Sequence, residues 1–307
     1  MDHWAMVRIF AGPRRVWFVM ALLSWSCSES QQVEPPAIVC PHGPVVIVHG
    51  LGQGPGIFDD LVAALVRRGM PRECLHVIGY SDGNLPIRVA AEKELAPFVG
   101  RVLAELGESP RQSAAANVTE KINLIGHSMG ALSSRWFAAK IDPGRVRTWI
   151  STSGANHGTD WGCPQPAGTG HGDMCPAFAR SSREGAVQYA LNGTPGPDVD
   201  ETPYGIGRDS PGVETVAADG DRSILYLTVS VPKDDYITPE KSLLIDGAGG
   251  APLQLAPGSP LREIESGNFS FTESSGHDEI LHSEALADFI YSAITAARPE
   301  DGSREPQ

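Results

Sequence analysis

Basic residues are in short supply in this 307-residue chain: 24 Lys and Arg stand against 37 Asp and Glu, a formal charge of −13 at neutral pH. An acidic surface repels phosphate backbones and anionic headgroups, which argues against nucleic acid or an anionic membrane as partner. Long hydrophobic runs are lacking as well. One apolar run, Val16 to Trp25, follows Arg14 and Arg15. It is too short to span a bilayer and has the length of a signal h-region. After it no transmembrane helix is expected. There is no internal repeat, and no glycine-rich loop carries a Walker lysine or the full dinucleotide spacing. With 41% apolar residues the chain can bury a sizeable core, so disorder is expected only at the ends.

Residues 1–26 read as a signal peptide, and export is therefore expected. Cys27 sits at the junction with the polar stretch "SESQQ", the arrangement of a bacterial lipoprotein whose first mature residue bears lipid. Bulky Trp25 departs from that pattern, so free secretion and a membrane tether through Cys27 both stay open. Cysteine is sparse, five residues in all. The other four are Cys40, Cys74, Cys163 and Cys175, an even number that in an exported protein predicts disulfides. Three connectivities are possible. Pairing Cys40 with Cys74 would tie the starts of two strands, and pairing Cys163 with Cys175 would close a short loop. A rival reading makes Cys163, His171, Cys175 and Asp173 a zinc site, but their spacing is not that of a familiar zinc motif.

Apolar runs rich in β-formers alternate with helical patterns, which predicts an α/β fold with a mostly parallel sheet covered by helices. The expected strands are "PVVIVHG" (Pro44 to Gly50), "CLHVIGY" (to Tyr80), "KINLIGHS", "RVRTWISTSG" and "SILYLTVSV". Helices are expected over Phe58 to Arg68, Ile87 to Leu106 and the closing stretch "DEILHSEALADFIYSAITAA". From Gly154 to Arg222 the alternation stops, with one helix expected near Pro176 to Leu191. So long an interruption predicts a cap inserted between two strands. The domain reading is 38–297 for the α/β unit, with the insertion at about 155–222 and a tail at 298–307.

The turn after "INLI" reads Gly126, His127, Ser128, Met129, Gly130. A serine between two glycines, where a strand becomes a helix, fits a strained corner that exposes the hydroxyl. Such a helix also aims free N–H groups at the serine. A plain capping serine in a glycine-rich turn is the bland alternative. A nucleophilic serine needs a base, and the base needs an acid. "SSGHDEILH" offers His277 in a polar loop, preferred over His282 within the helical pattern. "LTVSVPKDDYITP" offers Asp234, preferred over its neighbour Asp235, with Asp246 a distant third. The N–H groups of Met129 and of Leu51, in "VIVHGLGQGPGIF", are the candidate oxyanion donors.

With these pieces in order the chain resembles the α/β-hydrolases, bacterial triacylglycerol lipases and esterases above all. "IGHSMGALSSRW" is similar to that family's nucleophile elbow, "STSGANHGTDW" to the strand and "HGT" stretch after it, "KDDYITP" to its acid loop and "GHDEIL" to its histidine loop. The resemblance implies an eight-strand-type sheet, Ser128 as nucleophile, His277 as base, Asp234 as its partner, and Leu51 and Met129 as the oxyanion hole. It also implies a structural role for His157. Some of these lipases bind calcium near the histidine loop; no convincing ligand cluster is seen in this sequence, where Asp246 and Glu273 are the acidic residues considered, and no metal is expected. The implied reaction is hydrolysis of a small-molecule or lipid ester, with no cofactor. Polyester depolymerase, acyltransferase or amidase activity, and a non-catalytic binding role on the same fold, are the alternatives.

Overall fold

The computed structural model describes residues 38–107, 121–175, 187–192, 224–244, 255, 257–265, 267–273 and 276–296. The expected signal segment, Cys27, Asp246, the tail and much of the expected insertion lie outside them. The elements run β1 (Val45–Val48), α1 (Asp59–Arg67), β2 (Leu75–Val77), α2 (Ile87–Val89), α3 (Ala96–Gly107), β3 (Ile122–His127), α4 (Met129–Trp136), β4 (Val146–Thr152), α5 (Gly170–Met174), α6 (Val187–Asn192), β5 (Leu225–Ser230), α7 (Pro239–Ser242), β6 (Leu261–Glu265), β7 (Asn268–Phe271) and α8 (Glu284–Thr295).

Among the described residues the strands form one seven-stranded sheet in the order β2-β1-β3-β4-β5-β7-β6. All neighbours are parallel except β6 and β7. The mostly parallel sheet covered by helices is thus present. β6 and β7 were not expected: both are short, "LREIE" is mostly charged, and only "NFSF" alternates polar with apolar residues. Such a pattern suits an edge hairpin with one wet face. The helix expected from Ile87 does run without a break, but its middle, Ala90–Leu95, is a π-type turn that joins α2 to α3. The closing helix begins later than expected. Glu279–His282 is a separate 3₁₀ turn, and Ser283 then caps α8 by accepting from the Leu286 N–H.

Alternate side chains of each strand face opposite layers. Val45 and Ile47 of β1 pack with Phe58, Leu61 and Leu65 at α1 and Leu286, Phe289 and Ile290 of α8. Val46 and Val48 pack with Leu95 and Val99 of the α2–α3 helix and with Ala131 of α4. Central strands are therefore buried on both faces and read as unbroken apolar runs. A third cluster joins Met129, Leu132 and Trp136 of α4 to Met174, Val187, Leu191 and Ile237. It seats the described residues of the segment expected to be an insertion on α4. There the fully buried Arg135 donates to Asn192 Oδ1 at 2.7 Å and to the Leu191 carbonyl at 3.1 Å. Disulfides are present as expected, and of the three possible connectivities the one formed is Cys40–Cys74 with Cys163–Cys175.

Candidate active site

Ser128 stands between β3 and α4 with φ 56° and ψ −126°. A non-glycine residue reaches that left-handed region only where its surroundings force it. The surroundings here are specific. The Ser128 N–H donates to the Thr152 carbonyl at 3.2 Å, and the Ser128 carbonyl accepts from Ala131 and Ala155, each at 3.1 Å. The flanking glycines let the turn close: a Cβ on Gly130 would lie 2.4 Å from the carbonyl oxygens of Val48 and His49, and one on Gly126 would lie 2.5 Å from Ala131 Cα. A side chain larger than hydrogen at either place would push α4 away from the sheet.

Asp234 ends the segment after β5. Its Oδ1 accepts from the N–H groups of Tyr236 and Ile237, both at 2.8 Å, so the turn fixes the carboxylate. The other oxygen, Oδ2, lies 2.7 Å from His277 Nδ1. Both side chains are buried. Because Oδ2 only accepts, Nδ1 carries the hydrogen and Nε2 is left with its lone pair. Asp235 is exposed. His282 bonds Asp60 at the surface, as expected of a residue outside the site.

The ring of His277 lies 4.7 Å from that of His127, the residue before Ser128, and 5.1 Å from that of Tyr236. Among the described residues no hydrogen bond joins Ser128 to His277. In the absence of substrate such bonds are often long and tighten only when the reacting group is bound.

The loop after β1 completes the arrangement. A Cβ on Gly50 would lie 2.8 Å from Ser128 Cβ and 3.2 Å from its Oγ, so this loop passes directly over the serine and only glycine fits. His49 Nδ1 donates to the Gly50 carbonyl at 2.9 Å, and its Nε2 accepts from the Tyr80 N–H at 3.2 Å. Burial holds the imidazole below its usual pKa, in keeping with this neutral form. The peptide unit is planar, so fixing the Gly50 carbonyl also fixes the Leu51 N–H on the opposite side. Among the described residues neither the Leu51 nor the Met129 N–H donates to an acceptor.

Three polar residues that sequence reasoning did not single out bind this site together. Gln53 Oε1 accepts from the Gly50 N–H at 2.9 Å and Gln53 Nε2 donates to Asp278 Oδ1 at 2.9 Å. The same oxygen lies 2.9 Å from His127 Nε2, and His127 Nδ1 lies 3.0 Å from the Thr152 carbonyl. Burial pushes the His127 pKa down while Asp278 pulls against it, and the imidazole holds Asp278 below the usual carboxylate range. Each of the three lies within two residues of an expected site residue, but contacts spanning 225 and 151 positions leave no local signal.

Two groups of described side chains have the composition of a metal site. In one, Cys163 and Cys175 are bonded to each other, His171 Nε2 donates to the Trp161 carbonyl at 2.9 Å, and Asp173 accepts from the Ile87 N–H. The expected zinc alternative is thus replaced by a disulfide. The other group is His127, His277 and Asp278, in which His127 bonds Asp278 and His277 bonds Asp234 through Nδ1.

The profile of the palmitoyl protein thioesterase family matches residues 44–187, just under half of the chain. A triacylglycerol lipase of Pseudomonas fragi is 34% identical over 117 residues, which are 38% of this chain and 36% of that protein. The chain therefore spans about a third of this relative's length. Among solved structures, the mature lipase BlEst2 of Bacillus licheniformis is 13% identical with a TM-score of 0.47, over 86% of this chain and 96% of that one. A pyrethroid hydrolase of Sphingobium faniae is 17% identical with a TM-score of 0.46, over 84% of this chain and 99% of that one.

Proposed function

We propose that this chain, an α/β-hydrolase of the lipase and esterase kind, cleaves carboxylic esters through an acyl-enzyme on Ser128. In this reading Ser128 Oγ attacks the ester carbonyl carbon while His277 Nε2 takes the hydroxyl proton. The N–H groups of Leu51 and Met129 stabilise the tetrahedral oxyanion. As the oxyanion collapses, the bond to the alcohol oxygen breaks and His277 returns the proton to that oxygen. Water then attacks the acyl-enzyme, giving its proton to His277, and the acid leaves as Ser128 is reprotonated. Asp234 keeps the hydrogen on Nδ1 and offsets the charge on the imidazolium. No metal or organic cofactor enters these steps.

The observation that carries the reading is the buried Asp234–His277 pair, 2.7 Å between Oδ2 and Nδ1, with its base ring against the residue that precedes the strained serine. The test is hydrolysis of p-nitrophenyl esters from acetate to palmitate by wild type and Ser128→Ala. Activity should fall at least about 10⁴-fold in the variant, and the chain-length profile ranks esterase against lipase. A well-folded wild type inactive across the series would sink the reading.

The thioesterase profile favours a second reading, in which the scissile bond is a thioester. The intermediate is the same, and only the leaving sulfur differs. Comparing palmitoyl-CoA with p-nitrophenyl palmitate separates the two. Export is part of the proposal: the apolar start of the sequence and two disulfides support it. Intact mass of the protein from a membrane fraction and from the medium would distinguish lipid on Cys27 from free secretion.

A further inference from the structure

The geometry points to Gln53 as a positioning residue that, through Asp278 and His127, sets the oxyanion loop against both the nucleophile and the base. The inference rests on the ester-hydrolase reading and deepens it. Three chain segments must be in register for that chemistry: the loop after β1, the elbow after β3 and the histidine loop before α8. Among the described residues no backbone ladder joins the first to the third. What joins them is one side-chain relay, Gly50 N–H to Gln53 Oε1, Gln53 Nε2–H to Asp278 Oδ1, and Asp278 Oδ1 to His127 Nε2, each 2.9 Å. Its ends fall beside the reacting groups. Gly50 precedes Leu51 and touches Ser128, Asp278 follows His277, and His127 precedes Ser128.

The relay acts on the oxyanion loop through the two peptide units that meet at the Gly50 Cα. Gln53 holds the Gly50 nitrogen and His49 holds the Gly50 carbonyl. Gln53 thus fixes the plane before the Gly50 Cα and His49 the plane after it, which carries the Leu51 N–H, the donor proposed to meet the oxyanion. Releasing Gln53 frees the first plane, and the permissive dihedrals of Gly50 pass that freedom to the second. A donor that must be aimed at the transition state loses more in kcat than in KM when it is loosened. Gln53 and Asp278 are both partly exposed, so changing them leaves the core intact.

The hydrogen-bond polarity of the relay gives a decisive test. Gln53→Glu keeps an acceptor for the Gly50 N–H but sets a carboxylate oxygen against Asp278 Oδ1. Asp278→Asn alone keeps an oxygen acceptor in place. In the double variant, Gln53→Glu with Asp278→Asn, the new amide nitrogen at position 278 can take the place of Oδ1. One of its hydrogens then reaches the new carboxylate at position 53. The other reaches His127 Nε2, which accepts while Nδ1 donates to the Thr152 carbonyl. Both contacts of position 278 are restored with their direction reversed, and the Gly50 N–H keeps its acceptor.

We would measure p-nitrophenyl butyrate hydrolysis and amide hydrogen exchange over residues 49–54 in wild type, both single variants and the double. Gln53→Glu should lower kcat at least about tenfold with KM within about twofold. Exchange over the loop should speed up, and the double variant should return to within about threefold of wild type in both readouts. An unchanged Gln53→Glu enzyme, or a double variant as impaired as Gln53→Glu, overturns the inference. If wild type shows no Ser128-dependent hydrolysis, it is the ester reading that fails. The exchange data then decide the relay alone: loop protection that ignores Gln53→Glu refutes it.

Discussion

Two adjacent aspartates, Asp234 and Asp235, differ in what the backbone does to each. Asp234 folds back onto the amides of Tyr236 and Ile237, which buries it and aims Oδ2 at His277. Asp235 points to solvent. Asp234→Asn would keep the turn, since an amide oxygen still accepts from both amides, but its NH₂ would face Nδ1 and force the hydrogen to Nε2. The proposed base would then be blocked, and kcat should fall about 10³- to 10⁴-fold. Asp235→Asn should leave activity within about twofold, as surface changes do. If Asp235→Asn is the inactive one, the assignment of the acid is wrong. Sequence order and loop position made Ser128, His277 and this pair of carboxylates legible, because a strand-end motif is local. The Gln53, Asp278 and His127 relay was not legible, because its bonds are made only once loops far apart in sequence are brought together.

Elements carry the same lesson at a larger size. Strands buried on both faces, such as Val45–Val48 and Leu225–Ser230, announce themselves as apolar runs. The β6–β7 hairpin has one polar face and only four or five residues a strand, too little periodicity to stand out from a loop. Packing between elements separates two glycines that look alike in sequence. A Cβ on Gly130, in α4, would meet backbone oxygens at 2.4 Å, whereas one on Gly100, in α3, would have nothing within 4 Å. Gly130→Ala should therefore destabilise by about 1–3 kcal/mol or more and abolish activity by displacing the elbow. Gly100→Ala should stabilise by about 0.5–1 kcal/mol, the ordinary gain of alanine in a helix. Urea unfolding of both variants checks the pair. A Gly130→Ala protein as stable as wild type would mean that α4 can shift at little cost.

Three buried imidazoles make the stability of the molecule depend on pH in one direction on mild acidification. Burial lowers the pKa of His49, His76 and His127, so each binds its proton more readily in the unfolded chain. As pH falls through the ordinary imidazole range, near about 6.5, the unfolded state takes up protons that the folded state refuses. Stability is then lost, by at most about 1.4 kcal/mol per pH unit for each such proton. Lys140, lowered to about 8 by burial and the nearby Arg135, works in the same sense at higher pH. Asp278, held low by His127, adds to the loss only at more acidic pH, and Asp173, raised by burial, opposes it there. The melting temperature should accordingly drop between pH 7.5 and 5.5 and be little altered by salt, since the cause is desolvation rather than surface charge. His76 offers the cleanest separation, because its Nε2 is buried without a partner and it lies on β2, away from the serine. His76→Leu should flatten the slope, by at most about one proton's worth, while leaving hydrolysis unchanged. A melting temperature that holds steady or rises toward pH 5.5 would show that these imidazoles are charged in the folded protein, and would require an acidic partner for each.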